Sequence, residues 1–228
     1  ISKDGNYEAE GIVTLWHRSS GGGSGATKTE TTTDPDGSVT KTEIKFDGTV
    51  IETTTGKDGS TTRTETKPDG SSVTERKDAN GSTGTVKTDK DGNTRADAKV
   101  SGKAVEDAKK SGEAVKVPAE VKAGESSNSA PTVDIDLPKG AGETEIEIPV
   151  DDVTPGTVAV IVHPDGTEEI VKDSVVTENG VRLIVDGGAT VKILDNTQRF
   201  IDTENHWAED YIDFVSARGL LSGTGKNI

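Results

Sequence analysis

Cysteine and methionine are both absent from the 228 residues, and histidine occurs three times, as His17, His163 and His206. Disulfide staples, thiol catalysis and thiolate zinc sites are therefore excluded, and a histidine-based site has little to draw on. Aromatics are almost as scarce: two Trp, two Tyr and three Phe make up 3% of the chain, within a total of 29% hydrophobic residues. That is too little for one large enzyme-like core, so most of the chain must be surface. Mean hydropathy is -0.59, and no apolar run is long enough to cross a bilayer, so no membrane insertion is expected. The sequence also lacks an initiating Met and the basic-then-apolar opening of a signal peptide, and it reads as an internal piece of something longer.

Positive charge is the next deficit. The formal net charge of -15 argues against nucleic acid and anionic membrane surfaces as partners, because both are held by a basic excess. The imbalance is local: residues 131–228 carry 19 acidic and 7 basic side chains and residues 1–130 carry 22 and 19, so the second portion supplies -12 of the total.

What is present is periodic. Residues 7–16, ending in Trp16, have strand-forming composition and read as the last strand of a preceding β module (1–18), followed by a flexible Gly/Ser linker (19–26). Turn signals then recur at Asp36-Gly37, Asp47-Gly48, Asp58-Gly59, Asp69-Gly70, Asn80-Gly81 and Asp91-Gly92, each 11 residues after the last. Asp-Gly and Asn-Gly suit a two-residue type I′ turn, so residues 27–99 are expected to form an antiparallel β-meander of nine-residue strands. One face would then carry Thr40, Thr42, Ile44, Phe46, Ile51, Thr53, Thr62, Thr64 and Thr66, and the other Lys41, Glu43, Lys45, Glu52, Arg63, Glu65 and Lys67. This register pairs Ile44 with Ile51, which is favourable, but sets Glu52 against both Glu43 and Glu65, which is not. A coiled solenoid of short strands and a Thr-rich stalk with little fixed structure are the competing readings.

Ser101 is placed to cap a short helix over residues 102–111, with Gly112 as its stop. Strand-like runs follow at 114–121, 132–137, 144–150, 157–163, 167–171, 181–185 and 190–194, so residues 100–196 are expected to form a small, acidic β-sandwich-like domain. From residue 197 the period changes to that of a helix. Trp207, Tyr211 and Val215 fall four apart, as do Ala208 and Ile212, with Asn205 as candidate N-cap and Gly219 as the stop. The fold class expected is thus mainly β: the meander, the sandwich-like domain, and then a truncated α-helical unit.

Few constellations could carry chemistry. Asp34-Pro35-Asp36-Gly37 and Asp89-Lys90-Asp91-Gly92 offer oxygen ligands for calcium, but Thr32 and Lys87 stand where an EF-hand-like loop needs an earlier acid, and Asp-Gly is an ordinary hairpin turn. The pairs Asp151-Asp152 and Glu168-Glu169 point to opposite faces of a strand and read as solvated charge. Neither His17 nor His163 belongs to a recognisable nucleophile scheme, so no catalytic residue, cofactor or metal site is assigned. Trp207, beside the free N–H groups of a helix start, could stack a sugar ring while the helix end holds an anion; alternatively it packs a small helical core.

The run Phe200-x-Asp202, His206-Trp207-Ala208, Ile212, Arg218-Gly219-Leu220 and Gly223 resembles the first half of an S-layer homology domain, over about the last 29 residues. Residues 96–196 resemble, by composition, the acidic spacers that precede such domains in surface proteins of Gram-positive, Clostridia-like bacteria, and the Asp-Gly-Ser-Thr repeats resemble their stalks. The resemblance implies a secreted protein at the cell surface, held in the cell wall by tandem domains that bind a pyruvylated secondary cell-wall polysaccharide. Asp202, Trp207 and Gly223 are the ligand-binding residues it implies, with His206, Ala208, Ile212 and Gly219 structural. The family's second-helix T-R-A-E motif is missing, so residues 197–228 alone are not expected to bind well. The expected function is a non-catalytic stalk, spacer and wall anchor, with surface-layer or adhesion proteins as further partners. The alternatives are the non-catalytic tail of an exported wall or polysaccharide hydrolase, and a calcium-ordered adhesin.

Overall fold

A computed structural model describes residues 13–15, 26–204 and 206–223. The expected linker up to residue 25, most of the expected opening strand, His17 and the candidate cap Asn205 fall outside the described residues. The chain is mainly β, and antiparallel pairings dominate.

The first strands are β1 (Val13–Leu15), β2 (Ala26–Thr33), β3 (Val39–Lys45), β4 (Val50–Thr55), β5 (Thr61–Thr66), β6 (Ser72–Lys77), β7 (Thr83–Thr88) and β8 (Thr94–Lys99). Each pairs antiparallel with the next, forming a ribbon one sheet thick. The turns fall at the expected 11-residue spacing, but they are not two-residue type I′ turns. In each, an N–H and C=O close a loop of three residues, as where Lys45 N–H donates to Thr49 O (2.8 Å) and Gly48 N–H to Lys45 O (3.1 Å). Only the glycine takes a positive φ, at +84° to +89°, so these are three-residue hairpins with a Gly bulge.

The extra loop residue shifts every pairing by one. Ile44 lies opposite Val50, Glu43 opposite Ile51, and Glu52 opposite Thr42 and Thr64. The expected faces are therefore exchanged on alternate strands, and the repulsion of Glu52 by Glu43 and Glu65 disappears. Even-numbered residues now form a hydroxyl face, where Thr40 and Thr54 (2.8 Å), Thr64 and Thr74 (3.0 Å), and Thr88 and Thr94 (2.9 Å) hydrogen-bond across strands. Odd-numbered residues form a charged face with the ion pairs Lys41–Glu43, Lys45–Glu65 and Arg63–Glu65.

The ribbon does not end at residue 99. Helix α1 (Gly102–Ser111) follows with the expected caps: Ser101 Oγ accepts from Ala104 N–H, and Gly112, at φ +73°, ends it. Then come β9 (Val115–Lys116), β10 (Val121–Lys122), β11 (Thr132–Asp136), β12 (Glu143–Asp151), β13 (Thr157–Val162), β14 (Glu168–Ile170), β15 (Val175–Thr177), β16 (Gly180–Asp186) and β17 (Ala189–Asp195). Strand β11 adds to β8 in parallel, and β17, β13 and β14 continue the same sheet. The expected single strand over 114–121 is two short strands, because Pro118 interrupts the ladder; β9 and β10 both pair parallel with β12.

Strands β12, β16 and β15 with β9 and β10 make a second sheet. Its apolar residues Ile146, Ile148, Val181 and Leu183 share one core with Ala96, Ala98, Val133, Ile135, Val191 and Ile193 of the long sheet and with Ala104 and Val105 of α1. The even face of the ribbon is thus the same face that becomes a core from β7 onward. Gly84 permits the join, since a Cβ there would sit 1.8 Å from Pro118 O.

Candidate functional site

The residues singled out by the S-layer resemblance surround helix α2 (Glu209–Ala217). A chain of turns leads into it: Thr203 N–H donates to Phe200 O (3.2 Å), His206 N–H to Thr203 O (2.9 Å) and Glu209 N–H to His206 O (2.9 Å). Asp202 is exposed on the first of these turns. Ala208 occupies the N-cap position without a side-chain cap, so the helix starts later than an Asn205 cap predicts. Gly219 is the stop expected, at φ +66°. Leu220 N–H reaches Val215 O (3.0 Å) and Gly219 N–H reaches Ser216 O (2.9 Å), the paired bonds of a Schellman ending.

Helix α2 lies on the outer face of the long sheet, where Ala217 packs with Val158 and Val160 of β13. Its other side is uncovered. Trp207 is 84% exposed and Tyr211, one turn on, 71%, so Trp207 does not pack a helical core. The Trp207 ring meets His206 at 5.4 Å between centroids, tilted 38°. The helix start is not free for an anion: Ala208 N–H donates to His206 Nδ1 (3.3 Å), and Glu209 and Asp210 fill the first turn. Burial, reinforced by the charge of Glu209, pushes the Asp213 carboxyl above its ordinary value. Among the described residues no hydrogen bond, ion pair or ring contact joins Asp202, Trp207 and half-buried Gly223.

The residue that holds this segment in place is Arg218, which the sequence marks only as part of the Arg218-Gly219-Leu220 run. Arg218 is fully buried. Its guanidinium donates to Ser174 O (2.8 Å), Phe214 O (2.9 Å), Thr157 O (3.1 Å) and Pro155 O (3.4 Å) and lies 3.7 Å from the Phe214 ring centroid. Burial pushes it down to about 10, so it remains a cation at neutral pH, solvated by carbonyl dipoles instead of a carboxylate. Asn196 Nδ2 adds a bond to Ala217 O (2.6 Å).

A cleft of about 950 Å³ opens beside the ends of β8, β11 and β16, with Asp97, Asp134, Asp136 and Asp186 facing Lys99 and His163. Asp134 is already engaged, accepting from Arg95 Nη2 and Thr190 Oγ1 (2.7 Å each). The adjacent carboxylates considered as acid and base point apart: Glu168 binds Lys192 Nζ and Ser127 Oγ (2.5 Å each), whereas Glu169 lies 3.2 Å from His163 Nε2. Lys192 above all, then Ser127, holds the Glu168 carboxyl below its ordinary value.

The repeat aspartates brace their own turns. Asp58 Oδ1 accepts from the N–H (2.9 Å) and hydroxyl (2.6 Å) of Ser60, and Asp36, Asp69 and Asp165 repeat the pattern with Ser38, Ser71 and Thr167. Asp89 instead binds Asn93, through its N–H (2.9 Å) and its amide Nδ2 (2.8 Å). These bonds hold the carboxyls below their ordinary values, the hydroxyl being the larger cause at Asp58 and Asp69 and the backbone N–H at Asp36. Among the described residues no three His, Asp or Glu side chains gather as metal ligands.

Comparison with protein-family models, curated proteins and solved structures finds no match to this chain.

Proposed function

We propose that this chain is the non-catalytic stalk, spacer and wall-anchoring region of a secreted surface protein. In this reading residues 27–99 are the stalk, 100–196 a sandwich-like spacer and 197–228 the first half of an S-layer homology domain, which takes secondary cell-wall polysaccharide through Asp202, Trp207 and Gly223. The observation that carries the reading is the run Phe200-x-Asp202, His206-Trp207-Ala208 and Arg218-Gly219-Leu220, together with the exposure of its Trp207. An indole held in solvent at a helix start is costly as structure but useful as a stacking platform for a sugar ring. The ribbon supports the reading as well, since a sheet one layer thick adds reach without a core.

The test is co-sedimentation with purified wall sacculi of the chain extended through complete anchor domains. Binding to sacculi with intact polysaccharide, lost on its chemical removal and weakened by Trp207→Ala, is the expected result. A chain that stays in the supernatant with intact polysaccharide overturns the reading.

A further inference from the structure

The first hairpin of the ribbon holds the one Asp-Pro bond in the 228 residues, Asp34–Pro35. Both residues are exposed at the turn between β2 and β3, Asp34 closing the three-residue loop and Pro35 opening it. An X–Pro bond is a tertiary amide, and its nitrogen, once protonated, leaves as a secondary amine more readily than that of an ordinary peptide. The Asp34 side chain can reach its own carbonyl carbon through a five-membered ring, so the attack is intramolecular and needs no second reactant to be gathered.

The loop adds to this intrinsic lability. Gly37 N–H donates to the carbonyl oxygen of Asp34 at 2.9 Å, placing a fixed donor on the oxygen where charge develops. The carboxylate itself is not committed. Ser38 Oγ lies 3.2 Å from Asp34 Oδ2 but 2.7 Å from Asp36 Oδ1, and its single proton serves the shorter contact.

We infer that Asp34–Pro35 is an acid-triggered self-cleavage site that severs β2 from the rest of the ribbon. Solvent acid protonates the Pro35 nitrogen. A carboxylate oxygen of Asp34 bonds to the Asp34 carbonyl carbon, and the C–N bond breaks with its electron pair going to nitrogen, leaving a cyclic anhydride and Pro35 as a secondary amine, which takes a second proton from the acid solvent. Water then adds to the anhydride and restores two carboxyl groups on Asp34. The net change is hydrolysis of one peptide bond, with no oxidant or reductant. After it, the described residues 26–34 stay on the ribbon through the hydrogen bonds of β2 to β3 and no longer through the chain, so mild acid becomes a signal for shedding whatever the first strands carry. The inference stands whether or not the chain anchors to a wall.

The repeat supplies internal controls. Asp78–Ala79 and Asp89–Lys90 occupy the same loop position, with Gly81 and Gly92 N–H on their carbonyls at 2.9 and 3.0 Å, but lack proline. Lys67–Pro68 has the proline and the Gly70 donor (3.0 Å) but lacks the carboxylate.

The experiment incubates the full chain at the lowest pH at which circular dichroism still reports the sheet, and follows fragments by denaturing electrophoresis and mass spectrometry. One new N-terminus, at Pro35, is expected, forming at least tenfold faster than in the same buffer with unfolding urea. Asp34→Asn and Pro35→Ala, both on an exposed loop, should each slow it tenfold or more while leaving the dichroism spectrum unchanged. Absence of the fragment, an equal rate in urea, equal cutting at Asp78–Ala79 or Asp89–Lys90, or persistence in Asp34→Asn would each overturn the proposal.

Discussion

The ribbon and the two-layer region share a sheet yet hold it in different ways. From β8 through β17 the even face of the sheet is roofed by a second sheet and α1, and residues such as Ile146, Ile148, Val133 and Ile193 are fully buried. From β2 to β6 the same face meets water and carries threonine hydroxyls paired across strands. The two-layer region is stabilised by removing apolar surface from water. The ribbon has little of this term, with Ile51 its one buried apolar side chain among the described residues of β2 to β6, and rests on its ladder, on Asp-Gly-Ser turns that saturate their own hydrogen bonds, and on ion pairs worth little each. Continuity with β8 then lets the ribbon grow outward from an edge that the core has already ordered.

Core truncation should break this comparison most strongly. Ile148→Ala is expected to cost about 2–5 kcal/mol, because its cavity lies between two layers that collapse poorly. Ile51→Ala in the ribbon should cost no more than about half of that, since Ile51, though buried, belongs to neither apolar cluster and is covered by the side chains of a single layer. Urea titration of both variants checks it, and equal losses would mean that the ribbon has a core of its own.

Glycine replacement separates the regions by mechanism. Gly84→Ala drives a methyl group into Pro118 O and should cost about 3 kcal/mol, the upper end of overpacking. Gly59→Ala meets no atom within 4 Å and should cost about 1–2 kcal/mol, the strain of its positive φ. Thermal midpoints of the two variants test the order.

Arg218→Met keeps most of the volume and removes every donor to the four carbonyls. Amide exchange of α2 should then quicken about tenfold or more, while that of β12 stays unchanged. An unchanged α2 would show that Ala217 and Asn196 alone hold the helix.

The smallest effect is that of pH on the turns. The carboxyls of Asp36, Asp47, Asp58 and Asp69 lie below 3.8 in the folded chain. Their contribution is therefore complete above 3.8 and lost as pH falls from there through the folded values. Ribbon amides should lose protection as pH falls below about 4, before those of β12 and β16 do. Simultaneous loss in both regions would assign acid sensitivity to the whole sheet.

Much of this architecture was legible because it is local. The 11-residue spacing located the six turns from β2 to β8, Ser101 and Gly112 bounded α1, and Gly219 marked the end of α2, since each depends on residues within one turn of itself. The three-residue loop also leaves a trace in the sequence: with two-residue loops Glu52 would face two other glutamates, whereas one more loop residue sets it against Thr42 and Thr64. Of the residues expected to bind ligand, Trp207 and Asp202 are exposed on the segment foreseen, but nothing in their spacing places them relative to Gly223.

The sequence by itself determined where the ribbon turns, most of the strands and both helices, though not β15 or the break between β9 and β10, and that the apolar residues collect after residue 95, because these follow from backbone preferences and composition. Only the tertiary structure decided that β11 joins β8 in parallel, that one face of one sheet is hydroxyl-bearing over the ribbon and a core beyond it, and that Arg218 is buried among Ser174, Thr157, Pro155 and Phe214. Those partners lie up to 63 residues away in the chain. A preference for such contacts is not written at either end of the pair; it exists only once both surfaces have been brought together and water has left between them.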